Sequence, residues 1–469
     1  MIGLTLAEVS DLAGGALSSA DPAAVVTGPV VADSRRVAAG SLFVAVPGAR
    51  ADGHDFARPA IESGAVAVLA SRAVDAPAVL VDDTVLGLGR LARGYLRTLD
   101  ARVIAITGSS GKTSTKDLLA QVLARVAATI APEGSFNTEV GVPLTVLRAD
   151  ASTRFLVLEN SARGVGHIAY LCEIAPPQIG VVLNVGDAHL GEFGSREAVA
   201  KAKGELVEAL PPDGLAVLCA DDPAVAAMRS RTSARVVTFG LSPDADVRAL
   251  DVRLDERARP RFRLAGAAGA ADVSLSLHGA HQALNALAVA AVALEVGMGI
   301  DEVARALGEA SPISRWRMEV RLSADGVVVV NDAYNANPDS MRAALAALAA
   351  MRLDEGAAGR RWAVLGEMAE LGPASRQAHL DVGAAAVAAG VDRLVVVGEA
   401  AEGIADGALL AGVSASALVR VDDVHEAVSL LGTELRPGDI VLVKASRSAD
   451  LQRVAERLLG TGADAGASA

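Results

Sequence analysis

The chain has 469 residues, 52% hydrophobic and 21% charged, which excludes a disordered protein and leaves room for about two to four globular domains. Its formal net charge of −13, from 43 Lys+Arg against 56 Asp+Glu, excludes a broad basic face for nucleic acid, although a small phosphorylated ligand needs only one local positive site. Cys172 and Cys219 can build neither a disulfide framework nor a Cys-rich metal site, so a reducing cytoplasm is expected.

The start, Met1–Ile2–Gly3–Leu4–Thr5, lacks the basic and apolar pattern of a signal peptide. No run of 18 apolar residues occurs, and no membrane insertion is expected. Residues 1–98 form a first block in which Ser41–Val46 and Ala65–Leu69 read as short strands divided by Gly, Pro and Asp. Over 99–313 the pattern becomes buried strand, loop and helix. Val103–Ile106, Phe155–Leu158, Gly180–Leu183 and Leu215–Leu218 are continuous apolar runs, as strands covered on both faces require. Over 314–469 the runs Val327–Val330, Trp362–Leu365, Leu394–Val397 and Ile440–Val443 predict a second doubly wound sheet, before a Gly-, Ala- and Ser-rich tail.

The strongest chemical signal is Thr107–Gly108–Ser109–Ser110–Gly111–Lys112–Thr113, between the strand Val103–Ile106 and a helix marked by Leu118, Leu119, Val122, Leu123 and Val126. Glycines let backbone N–H groups close around phosphate oxygens, Lys112 neutralises them, and the Thr113 hydroxyl ligates Mg²⁺. The loop is a short form, with Ile106 where the longer pattern has its first Gly. Glu159 closes an apolar run at the end where such a magnesium needs a carboxylate. His189 follows the next strand, where open α/β sheets bind ligands. Lys201 and Lys203 open a later helix, and as plain ammonium groups they could not ligate a cation.

These residues carry a resemblance to the Mur ligase family of peptidoglycan synthesis over essentially the whole chain. It runs through Asp33–Ser34–Arg35–Arg36–Val37, Asp52–Gly53–His54–Asp55–Phe56, the phosphate loop and Asn137–Thr138–Glu139–Val140–Gly141–Val142–Pro143. It continues through Ala188–His189–Leu190–Gly191, Lys201–Ala202–Lys203–Gly204–Glu205, His281–Gln282–Ala283–Leu284–Asn285, Arg317–Met318–Glu319 and Lys444–Ala445–Ser446–Arg447. Asn331–Asp332–Ala333–Tyr334–Asn335–Ala336–Asn337–Pro338 and Gly366–Glu367–Met368–Ala369–Glu370–Leu371–Gly372 match the branch that attaches D-alanyl-D-alanine to UDP-N-acetylmuramoyl-tripeptide.

The resemblance implies an α/β protein of three domains: a small N-terminal domain for the UDP substrate (1–98), a central P-loop parallel-sheet ATPase domain (99–313) and a C-terminal Rossmann-like domain (314–469). It implies a cytoplasmic monomer that uses ATP and two Mg²⁺ ions to activate a carboxylate as an acyl phosphate. Thr107–Thr113, Asn285, Arg317 and Asp332 would hold ATP. Thr113 and Glu159 would ligate the first ion. His189 and a carbamylated Lys203 would hold the second, with Lys201 a competitor for the carbamate. Catalysis would rest on Lys112, His189 and Lys203. Ser34 and Arg35 would meet the uridine diphosphate, with Asn137, Thr138, Tyr334, Asn335 and Asn337 as further substrate contacts. Asn337–Pro338 reads equally as a helix N-cap followed by Pro at the first helical position. Asn160, Ser161, His167 and Ala445 depart from the family pattern and bear on activity. With substrates brought by different domains, the C-terminal domain is expected to rotate closed before chemistry. The alternatives are another ligase of the superfamily, a P-loop kinase or ATPase, and a lapsed nucleotide-binding regulator.

Overall fold

The computed structural model describes residues 3–48, 51–186, 190–352 and 359–461; His189 and most of the C-terminal tail therefore lie outside the described residues. Each of three blocks is organised on its own sheet. The first has strand order Ala16–Ser18, Ala78–Leu80, Ala67–Ala70, Leu42–Val44, Val30–Val31, parallel except for the first pair. Its strands are short and apolar throughout because both faces are covered. Alternate side chains go opposite ways. Leu42, Val44, Leu69 and Val79 pack with Leu6, Val9, Leu88 and Leu91. Phe43, Ala45, Val68 and Ala70 pack with Ala57 and Ala60 on the other side. The helix Leu6–Ala13 begins in a capping box between Thr5 and Glu8. Asp83 caps Thr84–Leu96 by accepting from the Val85 and Leu86 amides.

The central sheet has nine strands. Seven run parallel, in the order Thr129–Ile130, Phe155–Glu159, Arg102–Thr107, Ile179–Val182, Leu215–Cys219, Arg235–Gly240 and Val247–Leu254. Pro260–Gly266 and Gly269–Ser274 extend it antiparallel. Phe155–Glu159 lies beside Arg102–Thr107 in a register that pairs Glu159 with Ile106, so the carboxylate emerges next to the phosphate loop. The helix after that loop is Lys112–Leu123; Val126, expected on its apolar face, is outside it and 45% exposed. Lys201 and Lys203 sit in the middle of Arg196–Glu208, which opens earlier than expected because the Ser195 hydroxyl caps it at Ala198.

The third sheet has order Glu319–Leu322, Val328–Asn331, Ile440–Lys444, Arg361–Leu365, Arg393–Val397, Leu418–Val421, parallel except for its first strand. Ala363, Leu365, Val396 and Leu442 face one helical layer, and Trp362, Val364, Val395 and Val443 the other. Among the described residues no helix is long and apolar enough to cross a membrane.

Candidate active site

The phosphate loop is shaped by two glycines and one asparagine. Gly111 has φ +82, and a Cβ there would press on the Asn285 amide, so both backbone and space demand glycine. Asn184, just past the neighbouring strand, accepts from the Ser109 and Ser110 amides at 2.9 Å each and donates to the Ser110 carbonyl at 3.2 Å. The sequence reading assigned Asn184 no role, although a polar residue directly after Leu183 at a strand's C-terminal end was the available signal. The Lys112 ammonium donates to the Gly108 carbonyl at 2.7 Å. Burial pulls its pKa below the ordinary lysine value; Glu159 opposes this and Arg317 adds to it. Thr107 is fully buried and donates to the Asn160 carbonyl, so it braces the loop from behind.

Glu159 is 1% exposed. One oxygen accepts from the Thr113 hydroxyl at 2.8 Å and the other from the Asn137 amide at 2.7 Å. Both hydrogen-bond donors to this buried carboxylate are neutral, with the Lys112 charge acting on it from the loop, and hard oxygen ligands suit Mg²⁺. Among the described residues no three His, Cys, Asp or Glu side chains gather as a metal cluster. Glu159 and the Thr113 hydroxyl, 2.8 Å apart, offer one carboxylate and one hydroxyl, a donor set that fits magnesium with phosphate oxygens and water completing it.

Lys203 is 5% exposed, whereas Lys201 faces solvent. Burial, and secondly the Lys112 charge, drive the Lys203 pKa well below the usual lysine range. Its helix contains Gly204 because Arg231 lies across that position. The Arg231 guanidinium donates to the Ala200 and Lys201 carbonyls at 3.0 and 2.8 Å, and a Cβ on Gly204 would overlap it.

The C-terminal wall is set by a polar network. Asp332 accepts from Lys444 at 2.6 Å and from the Met318 amide at 3.0 Å. Trp316 and Met318, at φ 60 and 49, are left-handed non-glycine residues on either side of Arg317. They turn its guanidinium over the Tyr334 ring at 4.1 Å, leaving the buried Arg317 Nε without a hydrogen-bond partner. Asn337 caps the helix Pro338–Ala350 through the Ser340 amide at 2.9 Å, and its amide reaches the Ser109 carbonyl at 3.5 Å.

One cavity of about 1030 Å³ joins these parts. It is lined by Ser109–Thr113, Asn137, Thr138, Glu159, Asn285, Arg317, Asp332, Tyr334, Asn335 and Asn337, with Asp83, Val85 and Leu86 of the first block. Lys203 is buried and is not among the lining residues. Ser34 and Arg35 stand apart on the turn Ser34–Arg36, where Arg35 pairs with Asp33 at 2.8 Å. The departures Ser161 and His167 line the cavity, whereas Asn160 and Ala445 are buried.

A strand–loop–helix phosphate site with a buried carboxylate, facing a Rossmann-like domain across one cavity, is the arrangement of an ATP-dependent ligase. The chain belongs to the Mur ligase family: residues 29–92 match the family model for the Mur ligase catalytic domain, 106–293 that for the Mur ligase middle domain, and 316–447 that for the Mur ligase glutamate ligase domain. Within the family it is similar to the UDP-N-acetylmuramoyl-tripeptide–D-alanyl-D-alanine ligase of Mycobacterium tuberculosis, at 49% identity over 98% of each chain. Among solved structures it is similar to MurF from Acinetobacter baumannii, at 30% identity and a TM-score of 0.86, covering 98% of this chain and 99% of that one. MurF ligase from Thermotoga maritima in complex with ADP is also similar, at 33% identity and a TM-score of 0.80, covering 93% and 98%.

Proposed function

We propose that this chain joins D-alanyl-D-alanine to UDP-N-acetylmuramoyl-tripeptide through an acyl phosphate, releasing ADP and phosphate. The observation that carries this reading is the single cavity in which the nucleotide loop and Glu159 meet residues of the first and third blocks. A kinase or simple ATPase has no use for that third wall. We place the domains at 1–98, 99–313 and 314–469, in keeping with the three large sheets among the described residues. One chain completes the cavity, which accords with a monomer. Cys172 and Cys219 are free, their thiols pushed up by burial to about 12 and about 11, as suits the cytoplasm.

The N-terminus of Lys112–Leu123 would turn its first-turn amides to the triphosphate, while Asn184 holds the Ser109 and Ser110 amides of the loop. Lys112 would leave the Gly108 carbonyl for the β- and γ-phosphates, where anionic oxygens restore its charge. Thr113 and Glu159 would hold one magnesium, with Asn137 fixing the carboxylate. When bound, magnesium spreads the charge on the phosphoryl group and offsets its repulsion of the substrate carboxylate.

Burial favours the uncharged form of the Lys203 amine. Such an amine takes up CO₂ and loses one proton, becoming a carbamate with oxygen donors for a second ion, which His189 would share. The substrate carboxylate attacks the γ-phosphorus and ADP leaves. The dipeptide amine then attacks the acyl carbon, gives up a proton, and phosphate departs. Asn285, Arg317 and Asp332 would orient the nucleotide, Ser34 and Arg35 the uridine diphosphate, and Thr138 and Asn335 the peptide parts.

Incubation with ATP, UDP-N-acetylmuramoyl-tripeptide and D-alanyl-D-alanine, read by mass spectrometry, should give the pentapeptide product. Lys112→Ala should lower its formation at least about a hundredfold, as loss of a preorganised charge on a phosphoryl group does. Product formation undiminished in that variant would remove the loop from the mechanism.

A further inference from the structure

The segment 131–140 touches all three blocks. Pro132 accepts from the buried Lys116 at 2.9 Å, and Glu133 pairs with Arg36 of the first block at 3.0 Å. Asn137 holds Glu159 at 2.7 Å, and its carbonyl accepts from the Ser161 amide at 3.1 Å. Between these contacts the Ser135 hydroxyl meets the Tyr334 hydroxyl of the third block. The Tyr334 ring lies under the Arg317 guanidinium at 4.1 Å and stacks with Trp316 at 6.5 Å. Tyr334, which lines the cavity, thus has its hydroxyl engaged by Ser135 and its ring under Arg317.

We infer that Tyr334 is a positioning residue, which docks the segment 131–140 through its hydroxyl and seats the nucleotide-facing Arg317 through its ring. This rests on the ligase reading above. Because the same segment carries Asn137, the Glu159 carboxylate and the Arg317 guanidinium take up their working places together. A cation held at Glu159 and the Arg317 guanidinium would then flank the γ-phosphate only when the third block has docked.

Wild-type product formation tests the ligase reading first; the variants then test Tyr334. Tyr334→Phe keeps the ring and loses the hydroxyl, Ser135→Ala removes the other partner, and the double variant closes the cycle. Each single change should lower kcat about 3- to 10-fold, the range for one hydrogen bond, with the KM for D-alanyl-D-alanine within about twofold of wild type. The double variant should be no slower than the worse single one. Tyr334→Leu, which also removes the platform, should raise the KM for ATP as Tyr334→Phe does not.

Single-variant losses that multiply in the double would overturn the proposal. So would an unchanged kcat in both singles, or a loss confined to the dipeptide KM. Melting midpoints exclude misfolding as the cause, and Ser135→Ala reports on the same contact from the other side should Tyr334→Phe prove unstable.

Discussion

The two seams of this molecule are made of opposite materials. Between the first and central sheets a single apolar cluster runs through, from Leu6, Leu88 and Leu91 to Val103, Leu156, Leu158, Leu171 and Ile174. The Tyr95 hydroxyl reinforces it by donating to the Ala149 carbonyl at 2.8 Å. Between the central and third sheets nothing comparable exists among the described residues. Of the central block only Ala258 joins the third block's apolar clusters, and contact otherwise runs through separate polar pairs: Ser135 with Tyr334, Asn337 with Ser109, Gly191 with Glu370, Asp117 with Ser314, and Glu256 with Arg352. A shared core moves only by breaking, since its contacts are close-packed and lost together. A seam of single hydrogen bonds can part and re-form, each costing little once water replaces it. The contrast supports a first block fixed on the central one and a third block that closes over both. Scattering profiles unchanged by an ATP analogue with UDP substrate would count against that closure.

The apolar seam should give the largest effect. Leu91 is fully buried, and Leu91→Ala should cost about 2–5 kcal/mol in denaturant unfolding, the range for truncating a buried leucine. Because its cluster crosses the seam, both blocks should lose stability in one transition. Separate transitions for residues 1–98 and the rest would show that the core is not shared.

Gly191→Ala should leave stability alone and slow turnover. Gly191 donates to the Glu370 carbonyl at 3.1 Å. A Cβ there would come within 2.6 Å of the Gly372 amide nitrogen and 2.9 Å of the Glu370 oxygen, both backbone atoms that cannot rotate away. Alanine favours a helix over glycine by about 1 kcal/mol, so the melting midpoint should hold or rise. Yet the third domain would dock displaced by a fraction of an ångström or more, and such misplacement lowers kcat by about 10- to 100-fold. A variant as fast as wild type would show that catalysis does not need this close approach.

The same contrast explains what could be read from the sequence. Trp362–Leu365 and Ile440–Val443 announce buried strands because apolar runs report burial on two faces directly. The phosphate loop is local, so seven consecutive residues specify it. Resemblance favours Lys203 with Lys201 as a competitor, and the two differ in tertiary burial, which no local pattern announces. Thr129–Ile130 is too short to leave a pattern, and the hairpin Pro260–Gly266 with Gly269–Ser274 was hidden by the assumption of an all-parallel sheet. Arg231 over Gly204 and Tyr334 on Ser135 join residues far apart in the chain, and no spacing rule announces such pairs.

Asn337 should show the smallest effect, because it belongs to both a helix and the seam. Its side chain accepts from the Ser340 amide at 2.9 Å and donates to Ser109 at the long distance of 3.5 Å. Asn337→Ser can still cap, since a serine hydroxyl accepts well at that position, but it is too short to reach Ser109. Asn337→Ala loses both contacts. The alanine variant should therefore be about 1 kcal/mol less stable than the serine variant, the difference being the cap alone. Turnover should fall equally in the two, and by less than about threefold, because a 3.5 Å contact is weak. The KM for D-alanyl-D-alanine then separates the remaining roles. A rise shared by both variants would make Asn337 a dipeptide contact, whereas an unchanged value with the stability difference intact would leave it a cap that touches the seam only in passing.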